Sequence, residues 1–467
     1  MRYSLFCSLI GAAVIGLFFC GCSTAEGDFV PKTETELAAM ENLNKTAHEA
    51  FVQGNYDTAS EILKKINTER TVSRPLYQLE ELSVLLLNGK DEEAHELMKK
   101  LNDDFESLFN KELEEKAQSL WHGEINKVFK GDSYERSTFY ALMALSFINR
   151  ENYEDALRCV QNGLLADADS SEEKAVDDYP LLFYLGFFAA SKMQNKDEAE
   201  YFLNAMNKAL QLRKFEADKA AAKDNCFSAL AGQDPNVLLV VWAGDPPTVV
   251  CTGDYKENRS IIRGNNAFNA LAVAVDLEPV HFAPNNLGDV EFQATTRGGR
   301  LMDNILKDQA TAKAVMKTSG NVLFVAGGVI FLAGVRSLGS LPVGVTLMGV
   351  GGGCFVAGGV VHLIGGMINP AADGRFWRNL PAQLYIIPLT LPVGKHQIMI
   401  QGFRNFDAAG IAMYNIDVKE KAGVSVIHLP MLSQGFTYDQ AMRKCYEELC
   451  DQAVVKADAD RLAKEIK

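Results

Sequence analysis

Phe51-Val52-Gln53-Gly54-Asn55-Tyr56-Asp57-Thr58-Ala59 is a phrase to which the N-terminal half of the chain returns three times. The later copies run over 86–94, 149–156 and 193–199. Each copy separates two apolar stretches with helical periodicity, so it predicts the turn of a helix pair. One helical pair cannot bury its own apolar face, and neighbouring pairs must therefore stack. The phrase predicts a helical repeat domain over residues 35–225.

The repeated phrase resembles the turn of the tetratricopeptide repeat, in which one helix ends in a tight turn and the next begins near a small alanine. Gly54 and Gly89 lie 35 residues apart, close to the roughly 34-residue period of that repeat, whereas later copies are spaced irregularly. The resemblance implies an α-solenoid with a concave groove that binds peptides or proteins. The positions that match the repeat turn are Gly54, Tyr56, Ala59, Gly89, Ala94, Tyr153, Ala156 and Ala199. A non-repeating helical bundle is the alternative.

The first residues predict a targeting segment. Arg2 precedes the apolar stretch 6–19, which has the length of a secretory signal and is too short for a membrane span. The stretch ends near Gly21-Cys22, which resembles the lipobox of bacterial lipoproteins. The resemblance implies that residues 1–21 are a signal peptide, that Cys22 carries fatty acyl chains such as palmitate, and that residues 22–34 are a tether. An ordinary cleaved signal is the alternative.

A lipid on Cys22 would hold the chain in the cell envelope, on the periplasmic side of a membrane. Ser23 resembles the outer-membrane address of enterobacterial lipoproteins, so the outer membrane is expected over the inner one. The formal net charge of −14 argues against nucleic acid as a partner, because phosphate binding relies on clustered Lys and Arg. The expected partners are other envelope proteins or peptides, the membrane through the lipid anchor, and a second copy of the chain.

The sequence contains no motif that predicts an enzyme. The seven histidines lack His-x-x-x-His spacing, and neither a Cys-x-x-Cys pair nor a Gly-x-Ser-x-Gly elbow occurs. We therefore expect no catalytic residue, no metal site and no cofactor. Cys226 and Cys251 flank a predicted strand and could form a disulfide, whereas Cys445 and Cys450 are awkwardly spaced for one. Free thiols are the alternative.

After residue 235 the pattern changes to that of an α+β protein. Residues 237–242 predict a buried strand that opens a mixed α/β region over 236–318, in which helices are expected over 265–275 and 300–318. A β-rich segment with a C-terminal helix is expected over 371–467. Its predicted strands, which would form an antiparallel sheet, cover residues 384–391, 396–402, 411–418 and 424–429. The whole chain thus predicts an α+β multidomain fold.

Residues 319–370 form the most apolar part of the chain. Two apolar runs, 321–335 and 343–368, flank a short loop, and the second run is rich in glycine, which predicts a Gly-rich helical hairpin. The hairpin packs either within the protein or an oligomer, which we favour, or in a membrane. The flanking cations argue against the membrane, since a lipid on Cys22 would leave them outside the cytoplasm. These cations are Lys313, Lys317, Arg375 and Arg378.

Two further phrases resemble a family of uncharacterised bacterial lipoproteins. The first contains Gly131 followed by Tyr134-Glu135-Arg136, and the second runs from Asp373 through Trp377 to Ala382. In that family tetratricopeptide-like helices precede a mixed α/β region, so the resemblance implies an architecture and a location but no mechanism. By themselves, the first phrase predicts a capping and turn segment, and Trp377 a packing anchor.

These patterns favour a protein-binding scaffold over catalysis. The repeat would recruit a partner at a membrane surface, and an accessory factor in cell-envelope assembly is a narrower version of that role. The alternative is a secretion or pore-forming component that inserts its Gly-rich hairpin into a membrane and assembles into oligomers.

Overall fold

The structure, a computed structural model, builds its N-terminal half from helices. It describes residues 34–110, 127–168, 179–212, 234–264, 268, 270–283, 287–296, 310, 313–315, 317–318, 354, 371–404, 407–421 and 423–431. In the described part before residue 213, eight helices follow one another: α1 (Glu34–Val52), α2 (Tyr56–Asn67), α3 (Arg74–Leu87), α4 (Asp91–Asn110), α5 (Ser133–Asn149), α6 (Tyr153–Ala168), α7 (Pro180–Lys192) and α8 (Lys196–Leu212). Each helix packs against the next, and the loops group them into four pairs.

The same tight turn joins the two helices of every pair. In each turn a residue with positive φ follows the first helix, and these residues are Gly54 (76°), Gly89 (67°), Glu151 (58°) and Gln194 (59°). The N–H of the next residue donates to a carbonyl five positions earlier, as Asn55 does to Ala50 at 2.8 Å. This is the Schellman arrangement that ends a helix with a left-handed residue.

In the last three pairs, the first helix is more deeply buried than the second. Every residue of α3 from Pro75 to Leu87 is buried, and α5 and α7 are buried almost all round. In contrast, α2 buries one stripe and exposes the rest. A helix that is apolar all round needs neighbours on every side, and the C-terminal half provides them.

The C-terminal half contributes a central sheet, an outer sheet and a separate hairpin. Its elements are β1 (Val237–Ala243), β2 (Thr248–Thr252), β3 (Asn258–Ile262), β4 (Ala270–Val275), β5 (Glu278–Ala283), β6 (Gly288–Asp289), α9 (Val290–Thr296), β7 (Gln383–Leu389), β8 (Gly394–Arg404), β9 (Asp407–Val418) and β10 (Ser425–Met431). The central sheet has the order β10-β1-β7-β6 and the outer sheet β5-β4-β8-β9. Among the described strands, β2 and β3 pair only with each other.

The central sheet lies between the helices and the outer sheet. In β1, Leu238 and Trp242 belong to the core shared with the helices, whereas Leu239 and Val241 belong to the core shared with the outer sheet. Because both faces are covered, the strand is apolar at every position. β1 runs parallel to β10 and antiparallel to β7, so the central sheet is mixed.

The structure bears out the α+β class and corrects two expectations. The helix predicted over 265–275 is wrong, because Ala270–Val275 forms β4, which pairs with β5 and β8. Leu271 and Val273 alternate into the core, and cross-strand packing outweighs the helical preference of the alanines. The expected C-terminal antiparallel sheet is also divided, since β7 and β10 join the central sheet while β8 and β9 form the outer one.

Several predicted features lie outside the described residues. They are the signal peptide, Cys22 and the tether, almost all of the Gly-rich stretch 319–370, and the C-terminal helix after residue 431. Where the structure describes the expected helix 300–318, at residues 310, 313–315 and 317–318, the backbone is helical. Within the part of the chain that the structure describes, no helix combines the length and the apolar composition of a membrane span.

Candidate functional site

The most concentrated polar chemistry in the described residues lies where the segment 373–379, here called the strap, crosses the first helices. The strap leads into β7 and has no regular secondary structure. It contains residues 373–379 of the second of the two family-like phrases, and it meets the first phrase at the start of α5. The two phrases, more than 230 residues apart in the chain, therefore form one site.

The side chain of Glu80, in the middle of α3, binds the main chain of the strap. One carboxylate oxygen accepts the N–H of Arg378 and the other that of Asn379, both at 2.8 Å. The Asn379 side-chain amide also donates to the Glu80 carbonyl at 3.2 Å. Glu80 is only 1% exposed. A buried carboxylate needs partners for its lone pairs, and here backbone amides supply them.

Glu135 holds the adjacent amide of the strap. Its Oε1 accepts the N–H of Trp377 at 2.6 Å, and its Oε2 accepts the N–H of Asp132 at 2.6 Å. The second bond belongs to a capping box at the start of α5. Trp377 is buried, and its indole N–H donates to Ser83 of α3 at 2.9 Å. Together, Glu80 and Glu135 accept three consecutive backbone N–H groups of one segment.

Three arginines surround these carboxylates. Arg375 pairs with Asp373 at 2.8 Å and also donates to the Ser73 hydroxyl at 3.1 Å, so it joins the strap to the start of α3. Arg259 of β3 pairs with Asp132, and Arg378 pairs with Glu41 of α1. Arg259 and Arg378 thus meet acids of the helical half, whereas Arg375 pairs within the strap, and these pairs compensate for much of the cost of burying charge.

Burial has the largest effect on the pKa values of Glu80 and Glu135. It raises the pKa of Glu80 to about 8, although the two amide donors and Arg378 oppose it. Burial and then the Asp132 carboxylate raise the pKa of Glu135 to about 7. Nearby, His48 of α1 contacts the Asn379 side-chain oxygen at 2.7 Å, and burial lowers the pKa of this imidazole.

A second polar cluster lies where α3, α5 and β10 meet. The indole N–H of Trp242 donates to His428 Nδ1 at 3.0 Å, and burial lowers the pKa of His428 to about 3. The Ser146 hydroxyl contacts His95 at 3.0 Å and accepts from Arg150 at 3.1 Å. The small cavity beside them has room for about one water molecule. A serine and histidine in contact could form a nucleophile pair, but the cavity has no space for a substrate.

The described residues offer no metal centre and no disulfide. No group of three or more His, Cys, Asp or Glu among them could hold a metal ion. The thiol of Cys251, a candidate disulfide partner of Cys226, is half-buried and donates to the Ala372 carbonyl at 3.8 Å, and Cys226, Cys445 and Cys450 lie outside the described residues.

The predicted repeat-turn residues occupy equivalent places in the four turns. Gly54 and Gly89 are the left-handed residues. Tyr56 and Tyr153 begin the second helices of their pairs, and burial raises the pKa of both phenols, to about 12 for Tyr56. The alanines that let the helices approach are all buried, and these are Ala59, Ala94, Ala156 and Ala199. These positions support the helix pairs.

Sequence reasoning missed the residues that bind the strap. No role was predicted for Glu80, Ser83 or Arg259. A signal for Glu80 was present, because it stands with Glu81 inside the predominantly apolar stretch 76–87. A carboxylate on the apolar face of a helix is almost never buried unless it is paired.

Comparison with known proteins gives no match, so the proposed function is based on the geometry of the site. No family model matches the chain, and neither a curated protein nor a solved structure matches it.

Proposed function

We propose that this chain is an envelope lipoprotein, anchored through Cys22, that acts as a protein-binding scaffold and serves as an accessory factor in cell-envelope assembly. Its four helix pairs form a tetratricopeptide-type solenoid. The identical turns and the packing of each helix on the next support this interpretation.

One observation carries the proposal: the first helices already bind a polypeptide segment through its backbone. Three consecutive amides, from Trp377 to Asn379, donate to carboxylates on α3 and α5. Main-chain hydrogen bonds supply affinity while side-chain pockets supply specificity, and here Ser83 receives the Trp377 indole. The helical half therefore has the chemistry of a peptide-binding surface.

The strap occupies the surface formed by α3 and α5. An external partner would therefore bind the second helices of the pairs. Leu165 of α6 is 70% exposed and Tyr201 of α8 is 63% exposed. Exposed aromatic and aliphatic side chains on a solenoid are the residue types that act as anchors in protein interfaces. We therefore assign the partner surface to the outer face of the last two helix pairs.

Site-specific photocrosslinking in intact cells tests this assignment. A photoreactive phenylalanine analogue replaces Leu165 or Tyr201, and in the control it replaces Val393, which is 63% exposed in the turn between β7 and β8. We expect one discrete adduct from both helical positions and none from Val393. The same adduct from Val393, or no adduct from either helix, would contradict the scaffold.

A second candidate function is membrane insertion of the Gly-rich stretch 319–370 by a secretion or pore-forming component. The described residues on either side of this stretch both contact the turn between β2 and β3. This is expected for a segment that leaves the protein surface and returns to it at one place. Alkaline carbonate extraction of a Cys22→Ala variant, with its signal kept cleavable, separates the two functions. Full release into the soluble fraction would eliminate insertion and leave the scaffold untouched.

A further inference from the structure

The turn between β2 and β3 contacts the chain on both sides of the apolar stretch. Before the stretch, the ammonium groups of Lys313 and Lys317 lie 4.7 Å and 5.6 Å from the centre of the Tyr255 ring. After it, the N–H of Ala372 donates to the carbonyl of Lys256 at 3.0 Å. The two ends of an apolar sequence of about fifty residues are therefore held at one point on the surface.

Two lysines that share one aromatic ring make an unusual arrangement. Each ammonium gains from the negative face of the ring, but the two positive charges repel each other. Burial first, and the neighbouring Lys317 second, lower the pKa of Lys313. The ring therefore gathers two ammonium groups, each of which attracts an anion at short distance.

Other groups around the ring fit a lipid surface. Val315, between the two lysines in sequence, is 58% exposed, and Lys256 is exposed in the same turn. The carboxylates of this turn belong to Asp254 and Glu257, and that of Glu257 is turned back to accept the N–H of Tyr255 at 2.9 Å. Of these five charged side chains, three are lysines.

We propose that Tyr255, Lys313 and Lys317, here called the collar, bind the phosphate headgroups of an anionic membrane. Tyrosine and lysine are the residues that anchor proteins at a membrane surface, where the ring lies at headgroup level and the ammonium groups reach the phosphates. The collar rests on the proposed envelope location, but not on a protein partner, and it does not require the apolar stretch to insert.

A membrane, rather than a free phosphate, is favoured by what lies next to the collar. Exposed Val315 would enter the acyl boundary beside the headgroups. In the sequence, no charged residue follows Lys317 before Arg336, and the residues from Val322 to Val335 are all apolar. A site for soluble phosphate would gain nothing from either feature.

Vesicle flotation of the full chain with Cys22→Ala, which removes the lipid, tests the collar. We expect it to float with vesicles of phosphatidylcholine and phosphatidylglycerol, and much less with phosphatidylcholine alone. Lys313→Gln with Lys317→Gln should weaken binding to the anionic vesicles about 30-fold. The matched control, Lys99→Gln with Lys100→Gln on α4, removes the same charge from an exposed site and should leave binding within about twofold.

Charge-preserving substitutions guard against misfolding, since Lys313→Arg with Lys317→Arg should keep the binding. Flotation that does not depend on lipid charge, or that persists when both lysines are replaced, would overturn the collar. Membrane insertion of the apolar stretch would still be compatible with that result. Equal losses in the control pair would overturn it as well. Saturable binding of inorganic phosphate without flotation would replace the membrane with a soluble ligand. None of these results depends on the crosslinking that tests the scaffold.

Discussion

Glu80 places a carboxylate in the middle of a helix that is buried from Pro75 to Leu87. Its two oxygens accept the amides of Arg378 and Asn379, so removing them leaves two buried donors without an acceptor. Glu80→Ala should therefore lower the free energy of unfolding by about 2–5 kcal/mol. Urea denaturation measures the loss, with Glu61→Ala, an exposed carboxylate on α2, as the matched control. Equal effects of the two substitutions would contradict the role of Glu80.

The same carboxylates make stability depend on pH. Burial raises the pKa of Glu80 to about 8 and, together with the Asp132 carboxylate, that of Glu135 to about 7. The folded state therefore binds more protons than the unfolded state between the ordinary value of 4.5 and these values. The stability that the two glutamates contribute is fully present below pH 4.5. It is lost as the pH rises through their pKa values in the folded state.

Buried histidines have the opposite dependence at lower pH. Burial lowers the pKa of His48 and of His428, so the folded state binds fewer protons and loses stability as pH falls below 6.5. Above pH 6.5 the effect of these two histidines fades, while His396, whose pKa is raised by its bond to Asp276, contributes equally to the parent chain and to Glu80→Gln. We expect the free energy of unfolding to fall from pH 6.5 to 8, and less steeply in Glu80→Gln. A slope that Glu80→Gln leaves unchanged would show that this carboxylate does not titrate there.

At the scale of the element, the four turns share one backbone conformation but not one residue. Two turns use glycine at the left-handed position, whereas the other two use Glu151 and Gln194. A side chain in that conformation costs about 1–2 kcal/mol relative to glycine. The turns are therefore equivalent in geometry and unequal in strain.

Exchanging residues between turns should shift stability in opposite directions. Gln194→Gly, at an exposed position, should raise the free energy of unfolding by about 1 kcal/mol. Gly89→Ala should lower it by about as much, because its new methyl group meets no atom within 4 Å and only the positive φ opposes it. Thermal unfolding of both variants provides the measurement, and changes of the same sign would refute a shared left-handed turn.

At the scale of the whole molecule, the two halves share a core. Leu238 and Trp242 of β1 pack among the residues of α3 and α5. The strap adds ion pairs and backbone bonds across the same boundary. Neither half could keep its buried surface covered if the other unfolded, so the chain should behave as one cooperative unit.

Two probes should therefore report one unfolding transition. Far-ultraviolet circular dichroism follows mainly the helices, and tryptophan fluorescence includes Trp242 in the central sheet. We expect equal urea midpoints for the two signals, and a joint shift of both in Glu80→Ala. Separate midpoints would show two independent domains.

Local sequence patterns predicted the elements of this protein better than their arrangement. The repeated phrase located all four turns, because a tight turn between two apolar helices is encoded within a few adjacent residues. The strands β1, β7, β8, β9 and β10 were also found near their predicted places. The helix expected over 265–275 failed because cross-strand partners, which are remote in sequence, decide a short apolar stretch.

The sequence by itself determined the class of the fold, the helix pairs and the polar phrases around Glu135 and Trp377. Only the tertiary structure decided that these two phrases meet, that Glu80 joins them, and that both ends of the apolar stretch reach the turn that holds Tyr255 and Lys256. Periodicity and turn chemistry act over a few residues and can be read along the chain. A contact such as that between Trp377 and Ser83 spans 294 positions, and it exists only because the central sheet packs against the helices.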